Sequence, residues 1–381
     1  MTFFPNLGNI PKLRFSEFTE EWEERYISEV ISSKSKKYNP ENSDSNYRSI
    51  ELESLSQDSG ELLSTFDSKN QKSIKNVFNS GDVLFGKLRP YLKKYYLADF
   101  DGVCSSEIWV LKSSILDSDY LYAFVQSNSF ISLTEKSSGS KMPRADWNLV
   151  SSSLIVYPSN TNERKKIGKT IQLINSRIQT QKKIISQLKS QMSNLKDLIF
   201  EQKLRFTDDK ENEFPDWQES RLEDICEKQS SNISANKIED NMGDYPIYGA
   251  TGILKNIDFY EVENDYISII KDGAGVGRLL YCEGKSSVLG TLDIIQSKNI
   301  NLYFIFLLLS RIDFKKYITG STIPHIYFKD YKKEKFQIPS IEEQEKIANF
   351  FKSLDEKINL ETELLTQYEN QKKYLLQNLF V

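Results

Sequence analysis

The 381-residue chain is 39% hydrophobic and 27% charged, ordinary for a water-soluble globular protein and long enough for two or three domains. Its net charge of −4 does not by itself point to nucleic acid, and its opening Met-Thr-Phe-Phe-Pro lacks the basic and apolar regions of a secretory signal. The longest apolar run, Leu302 to Leu309, is too short to span a bilayer, so no membrane role is expected. Cys104, Cys226 and Cys282 form no CxxC pair and fit reduced, buried thiols in a cytoplasmic protein.

In chain order, Lys12-Leu13-Arg14-Phe15 opens the first module, followed by Trp22, Ile27 and Val30. Strands are predicted over 82–85 and 106–111, a helix over 120–134 and a closing strand over 154–157. Between the first two strands runs Gly86-Lys87-Leu88-Arg89-Pro90-Tyr91-Leu92-Lys93-Lys94, basic with interleaved aromatics. Lysine and arginine neutralise phosphates, and arginine can read a guanine edge with two hydrogen bonds. An isolated stretch of this kind is also a plain solvated hairpin. A second loop, Ser138-Gly139-Ser140-Lys141-Met142-Pro143-Arg144, follows the predicted helix. Its amides, hydroxyls and cations suit a phosphate.

Residues 162–202 read as one long helix. Ile167, Ile171, Ile174, Ile178, Gln181, Ile185, Leu188, Met192, Leu195 and Ile199 recur at spacings of four and three, the a/d stripe of a coiled coil.

The pattern then returns. Lys203-Leu204-Arg205-Phe206 and Trp217 repeat the opening, with Leu222 and Ile225 behind them. Strands are predicted over 265–270, 279–282, 292–296 and 335–338, and a helix over 301–317. Lys271-Asp272-Gly273-Ala274-Gly275-Val276-Gly277-Arg278 stands where copy one has its basic loop. Its glycines permit close backbone approach to a ligand or simply make a tight turn. The spacing is not that of a dinucleotide-binding fingerprint, since Arg278 stands where the last glycine would be. Thr319-Gly320-Ser321-Thr322-Ile323-Pro324-His325 repeats the second loop at a shift of 181, and Glu163 returns as Glu343 at a shift of 180. Ser105, Ser106, Gly290 and Thr291 are further DNA-contact candidates. A second long helix over 341–380 carries Ile347, Phe351, Leu354, Ile358, Glu361, Leu365, Tyr368, Lys372, Leu375 and Leu379 in the same stripe.

The chain is thus a duplicated module of α+β class, with residues 1–160 and 204–340 globular and 161–203 and 341–381 helical. A stripe of this length needs a partner to bury it, and residues 161–203 carry ten basic and three acidic groups against five and eight in 341–381. The expectation is that the helices pair as an antiparallel coiled coil, Gln181 meeting Glu361 near its middle. At 1.5 Å per residue each makes a rod of about 60 Å.

Catalytic signals are missing. His325 is the only histidine, which argues against a histidine-centred triad or a multi-histidine metal site. Lys166-Ile167-Gly168-Lys169-Thr170 resembles the end of a phosphate-binding loop, but Glu163 replaces its first glycine. No adenine-methyltransferase tetrapeptide and no convincing Asp…Glu-x-Lys nuclease cluster is found. No metal site is expected.

Taken in this order, the repeated Lys-Leu-Arg-Phe…Trp opening, residues 81–91, the Gly-Ser-x-x-Pro of 139 and 320, and Ile-Pro-Ser-Ile-Glu-Glu-Gln-Glu-Lys-Ile at 338–347 resemble the DNA-specificity subunit of type I restriction–modification systems. The resemblance covers essentially the whole chain. It implies two target-recognition domains, each reading half of a bipartite, asymmetric duplex sequence, with two spacer helices acting as a ruler. It implies assembly with two methyltransferase subunits and with motor–nuclease subunits, and hence no cofactor in this chain. S-adenosylmethionine, ATP and Mg would belong to the partners. A coiled-coil protein-interaction adaptor is the alternative.

Overall fold

The computed structural model describes residues 2–3, 9–43, 45–136 and 142–381. Backbone contacts divide the chain into two units: residues 1–186 with 360–381, and residues 187–359.

The first unit has mixed α/β architecture. A five-stranded sheet runs in the order Lys37–Tyr38, Lys75–Phe78, Gly102–Cys104, Arg48–Ile50, Phe66–Asp67. Beside it lies a three-stranded sheet in which Val83–Gly86 sits between Ile108–Leu111 and Tyr95–Leu97, antiparallel to both. Val83–Gly86 is buried throughout, as its unbroken apolar character requires. Leu154–Pro158 closes the unit against Trp22–Tyr26, Pro158 opposite Trp22.

The second unit repeats the scheme. Tyr266–Ile270 is central, antiparallel to Leu279–Cys282 and to Leu292–Ser297. Tyr245–Gly249 pairs parallel with Ser287–Val288 and antiparallel with Gly252–Ile257, as Arg48–Ile50 does with Gly102–Cys104 and Phe66–Asp67. Lys335–Ile338 closes against Gln218–Arg221.

The predicted strands appear within one or two residues, but both predicted module helices are shorter than expected. Residues 120–134 form two helices, Ser118–Phe124 and Asn128–Thr134. The buried Ser127 makes the break. Its hydroxyl donates to the Phe124 carbonyl (2.7 Å) and accepts from the Phe130 amide (3.4 Å), ending one helix and capping the next. In the second unit the helix spans Leu302–Leu309, and a separate 3₁₀ turn covers Phe314–Tyr317. There Asp313 accepts from the Lys315 amide (3.3 Å) and so starts the new turn.

The long helices are Thr161–Phe200 and Ile341–Asn378. The first ends where Gln202 takes a left-handed φ of 55°, with the amides of Lys203 and Leu204 returning to the Leu198 carbonyl. Gly168 has a steric reason: a Cβ there would lie 2.7 Å from the backbone of Asp119 and Tyr120. The stripe residues Ile167, Ile171, Ile174, Ile178, Gln181, Ile185, Ile347 and Ile358 are buried, while Leu188, Leu354, Glu361 and Leu365 are half-buried. Within the first unit, Gln181 Nε2 donates to the Glu361 carbonyl (2.9 Å) and to its carboxylate, and Lys182 pairs with Glu369 (3.0 Å).

The repeated opening motif is a clasp. Arg14 grips Glu163 with two hydrogen bonds (2.7 and 2.8 Å), and Trp22 Nε1 donates to the same carboxylate (3.3 Å). Arg205, Glu343 and Trp217 repeat it at 3.2, 2.8 and 2.9 Å. Both glutamates have fully buried side chains. A carboxylate survives such burial only when paired and fully hydrogen-bonded.

Each module core is closed by a helix end. Leu375, Leu376, Leu379 and Phe380 enter the first core, where Phe380 meets Tyr120 and Phe124 (centroids 5.6 and 6.3 Å). Ile199 and Phe200 take the same place in the second, against Trp217 and Phe304 (6.1 and 5.5 Å). All three cysteines are buried and free.

Candidate nucleic-acid interface

Each module joins two loops that are more than fifty residues apart in sequence. In the first, the Arg89 amide donates to the Pro143 carbonyl (2.8 Å), the Ala145 amide to Lys87 (2.8 Å) and the Lys87 amide to Glu107 (2.9 Å). In the second, Gly273 donates to Pro324 (2.9 Å), Ile326 to Lys271 (2.9 Å) and Lys271 to Thr291 (3.0 Å). The two three-bond patterns correspond residue for residue, although the side chains they carry differ.

On this shared frame Arg89, Tyr91, Ser106 and Arg144 are exposed, and Lys87 and Ser105 half-buried. Arg89 and Lys93 have left-handed φ values of 52° and 47°, so the loop turns sharply on either side of Pro90–Leu92. Arg144 Nε donates to Glu107 (3.0 Å), which orients its guanidinium and leaves other N–H groups open. Gly139, Ser140 and Lys141 lie outside the described residues.

In the second module the Arg144 position is His325, whose Nδ1 lies 2.7 Å from Asp272. Gly273, Gly275 and Gly320 have φ of 88°, 91° and 88°, where a side chain would be strained. Ser321, Thr322 and Thr291 are exposed, and the Gly290 amide is fixed on the Ile233 carbonyl (2.8 Å). An open cleft of about 1010 Å³ adjoins this frame, lined by Lys228, Lys271, Asp293, His325, Lys329 and Lys332 among others. Cys226 also lines it. Burial pushes that thiol up to about 12, so it is neutral and unreactive at physiological pH.

Several predicted contacts are engaged by neighbouring groups, Arg278 while still exposed. Lys94 donates to the Leu52 carbonyl (2.6 Å) and Arg278 to the Ala250 carbonyl (3.1 Å). Lys93 lies 3.9 Å from Asp58, and Lys271 lies 3.0 Å from the buried Asp293. The orienting acids Glu107, Asp272 and Asp293 escaped the sequence reading. Glu107 and Asp272 adjoin chosen residues, so a search for acids beside the basic loops would have found them. Asp293 has no such signal, because it lies between Leu292 and Ile294 in a buried strand. Among the described residues no cluster of three or more His, Cys, Asp or Glu could hold a metal, and no helix is long and apolar enough to cross a membrane.

Comparison with known proteins agrees with this duplicated frame. The model of the type I restriction modification DNA specificity domain matches twice, over residues 19–190 and 215–370. The specificity subunit of type I restriction enzyme EcoDI from Escherichia coli is 38% identical over 58 residues, 15% of this chain and 13% of that protein. Two proteins of Mycoplasma pneumoniae named as type I specificity subunits are 27% and 31% identical over 165 and 168 residues, each 41% of this chain. The matches span 54% and 46% of those two proteins, about half their length. The S subunit of a type I restriction-modification system from M. genitalium has the same fold, with a TM-score of 0.67 at 18% identity over 98% of this chain and 99% of that one. A chain from a solved type I R-M system gives a TM-score of 0.55 at 18% identity, covering 93% of this chain and 96% of that one. The chain belongs to the family of type I restriction modification DNA specificity domains and carries two of them.

Proposed function

We propose that the chain is the non-catalytic, cytoplasmic specificity subunit of a type I restriction–modification complex, reading one half of a bipartite, asymmetric duplex sequence with each module. The observation that carries this reading is the shared three-bond frame on which each module mounts a different set of side chains. A common frame with Lys87, Arg89 and Arg144 on one copy and Gly273, Gly275 and His325 on the other suits two readers of unlike targets. Phosphate contacts position such readers, and side chains at base edges specify the sequence.

In this reading the long helices pair as an antiparallel coiled coil that sets the spacer between half-sites. The Gln181–Glu361 and Lys182–Glu369 contacts support that pairing. The chain would scaffold two methyltransferase subunits, which bring S-adenosylmethionine, and motor–nuclease subunits, which bring ATP and Mg.

The test is duplex DNA affinity of the full chain against salt. The expected result is a steep fall of log affinity with log salt and preference for one split sequence. Salt-independent or absent DNA binding would contradict it and favour the protein-interaction adaptor.

A further inference from the structure

Lys94 and Arg278 occupy equivalent places. Each ends its loop, its carbonyl accepting from the last residue of the central strand: Gly86 to Lys94 at 2.8 Å, Ile270 to Arg278 at 3.0 Å. Each sends its cationic end to a carbonyl in the connection that follows the equivalent strand, Leu52 after Arg48–Ile50 and Ala250 after Tyr245–Gly249. The residue types differ, and the connections differ in length, since Phe66 resumes the sheet in one copy and Gly252 in the other. The strut from cation to carbonyl is retained all the same. A bond kept while its surroundings diverge points to a position that must be held.

The strut fastens a hairpin to the frame described above. In the second module the hairpin exposes Thr251, Ile253 and Leu254, with Ile253 60% exposed. In the first it exposes Glu53 and Leu63, the latter also 60% exposed. An aliphatic side chain left in water beside a basic or glycine-rich loop suits contact with a thymine methyl group. The bond to a neutral carbonyl leaves each charge intact, and what it fixes is the place of the hairpin.

We propose that this hairpin is a third segment of each module's reading face, and that Lys94 and Arg278 are positioning residues that hold it there, not phosphate contacts. The proposal rests on the DNA-reading function above. It separates cleanly from a phosphate role, because a lost phosphate contact weakens all sequences alike and lowers the salt slope by about one.

The experiment measures affinity of the full-length protein, with its methyltransferase subunits, for its target and for singly substituted targets across a salt series. Arg278→Ala is expected to leave the salt slope unchanged and to cut discrimination in one half-site roughly tenfold. Arg278→Lys should restore it, and Lys94→Met should act on the other half-site alone. Ile253→Ala, which removes no charge, should change base preference in the half-site that Arg278→Ala affects. A slope lowered by about one with discrimination intact would overturn the proposal, as would an Ile253→Ala protein with unaltered preference. If the unsubstituted protein shows no sequence preference, the DNA-reading function itself falls and this proposal with it.

Discussion

Single side chains divide into those that hold the modules and those that face outward. Glu163 belongs to the first group. Replacing it with alanine strands the buried Arg14 guanidinium and the Trp22 N–H. The expected loss is about 3–5 kcal/mol of stability, read by urea denaturation. A change below 1 kcal/mol would mean that the clasp is incidental. Lys372 is a different case. The residue is only 8% exposed and its ammonium donates to the Tyr95 hydroxyl (2.9 Å), with Asp58, Lys93, Lys182 and Glu369 nearby. Burial pulls it down to about 8 from the ordinary lysine value of 10.5. The unfolded chain therefore holds more protons between these limits, and stability from this group rises as pH increases from about 8 to 10.5. Below pH 8 the charge is carried in both states and its burial cost is fully present. Lys372→Met is expected to stabilise the first unit by about 3 kcal/mol at pH 7. The gain should shrink towards pH 10, and a gain constant across that range would contradict the assignment. At this scale the sequence was legible where chemistry repeats: Arg14, Trp22 and Glu163 recur together. It gave no sign that the three meet, because 149 residues separate Arg14 from Glu163. Nor did it separate Lys94 and Arg278 from Arg89, since a basic side chain reads alike whether it faces a phosphate or its own backbone.

Among the elements, the long helices were plain in the sequence because an a/d stripe over many turns has few other interpretations. The module helices were not, because Ser127 and Asp313 break them through local hydrogen bonds that an apolar pattern hides. The role of the last residues was equally hidden. Leu379 and Phe380 follow the second module in sequence but pack into the first core. Deleting residues 379–381 is expected to destabilise the first unit by roughly 4 kcal/mol or more. Hydrogen exchange should then rise in Ser118–Phe124 and leave Tyr266–Ile270 protected. Faster exchange confined to Tyr266–Ile270 would contradict that packing.

For the whole molecule, duplication is the organising fact, and it was the feature most legible in the sequence. The bases read were not legible, because they depend on which side chains the frame leaves free. On the proposed reading, inserting seven residues at matched points in both long helices keeps each stripe in phase. It adds about 10 Å to each, equivalent to roughly three base pairs of duplex. The recognised sequence should then keep both half-sites and lengthen its spacer by about that amount. An unchanged spacer would remove the helices from that role.

On the proposed reading, this chain chooses the sequence that its partners modify. Mapping N6-methyladenine across the host genome, with the gene intact and deleted, decides the matter. One split motif, with methylation in both half-sites, is expected to vanish on deletion and to return when the gene is restored. An unchanged map in a host whose methyltransferase subunits are demonstrably active would contradict it.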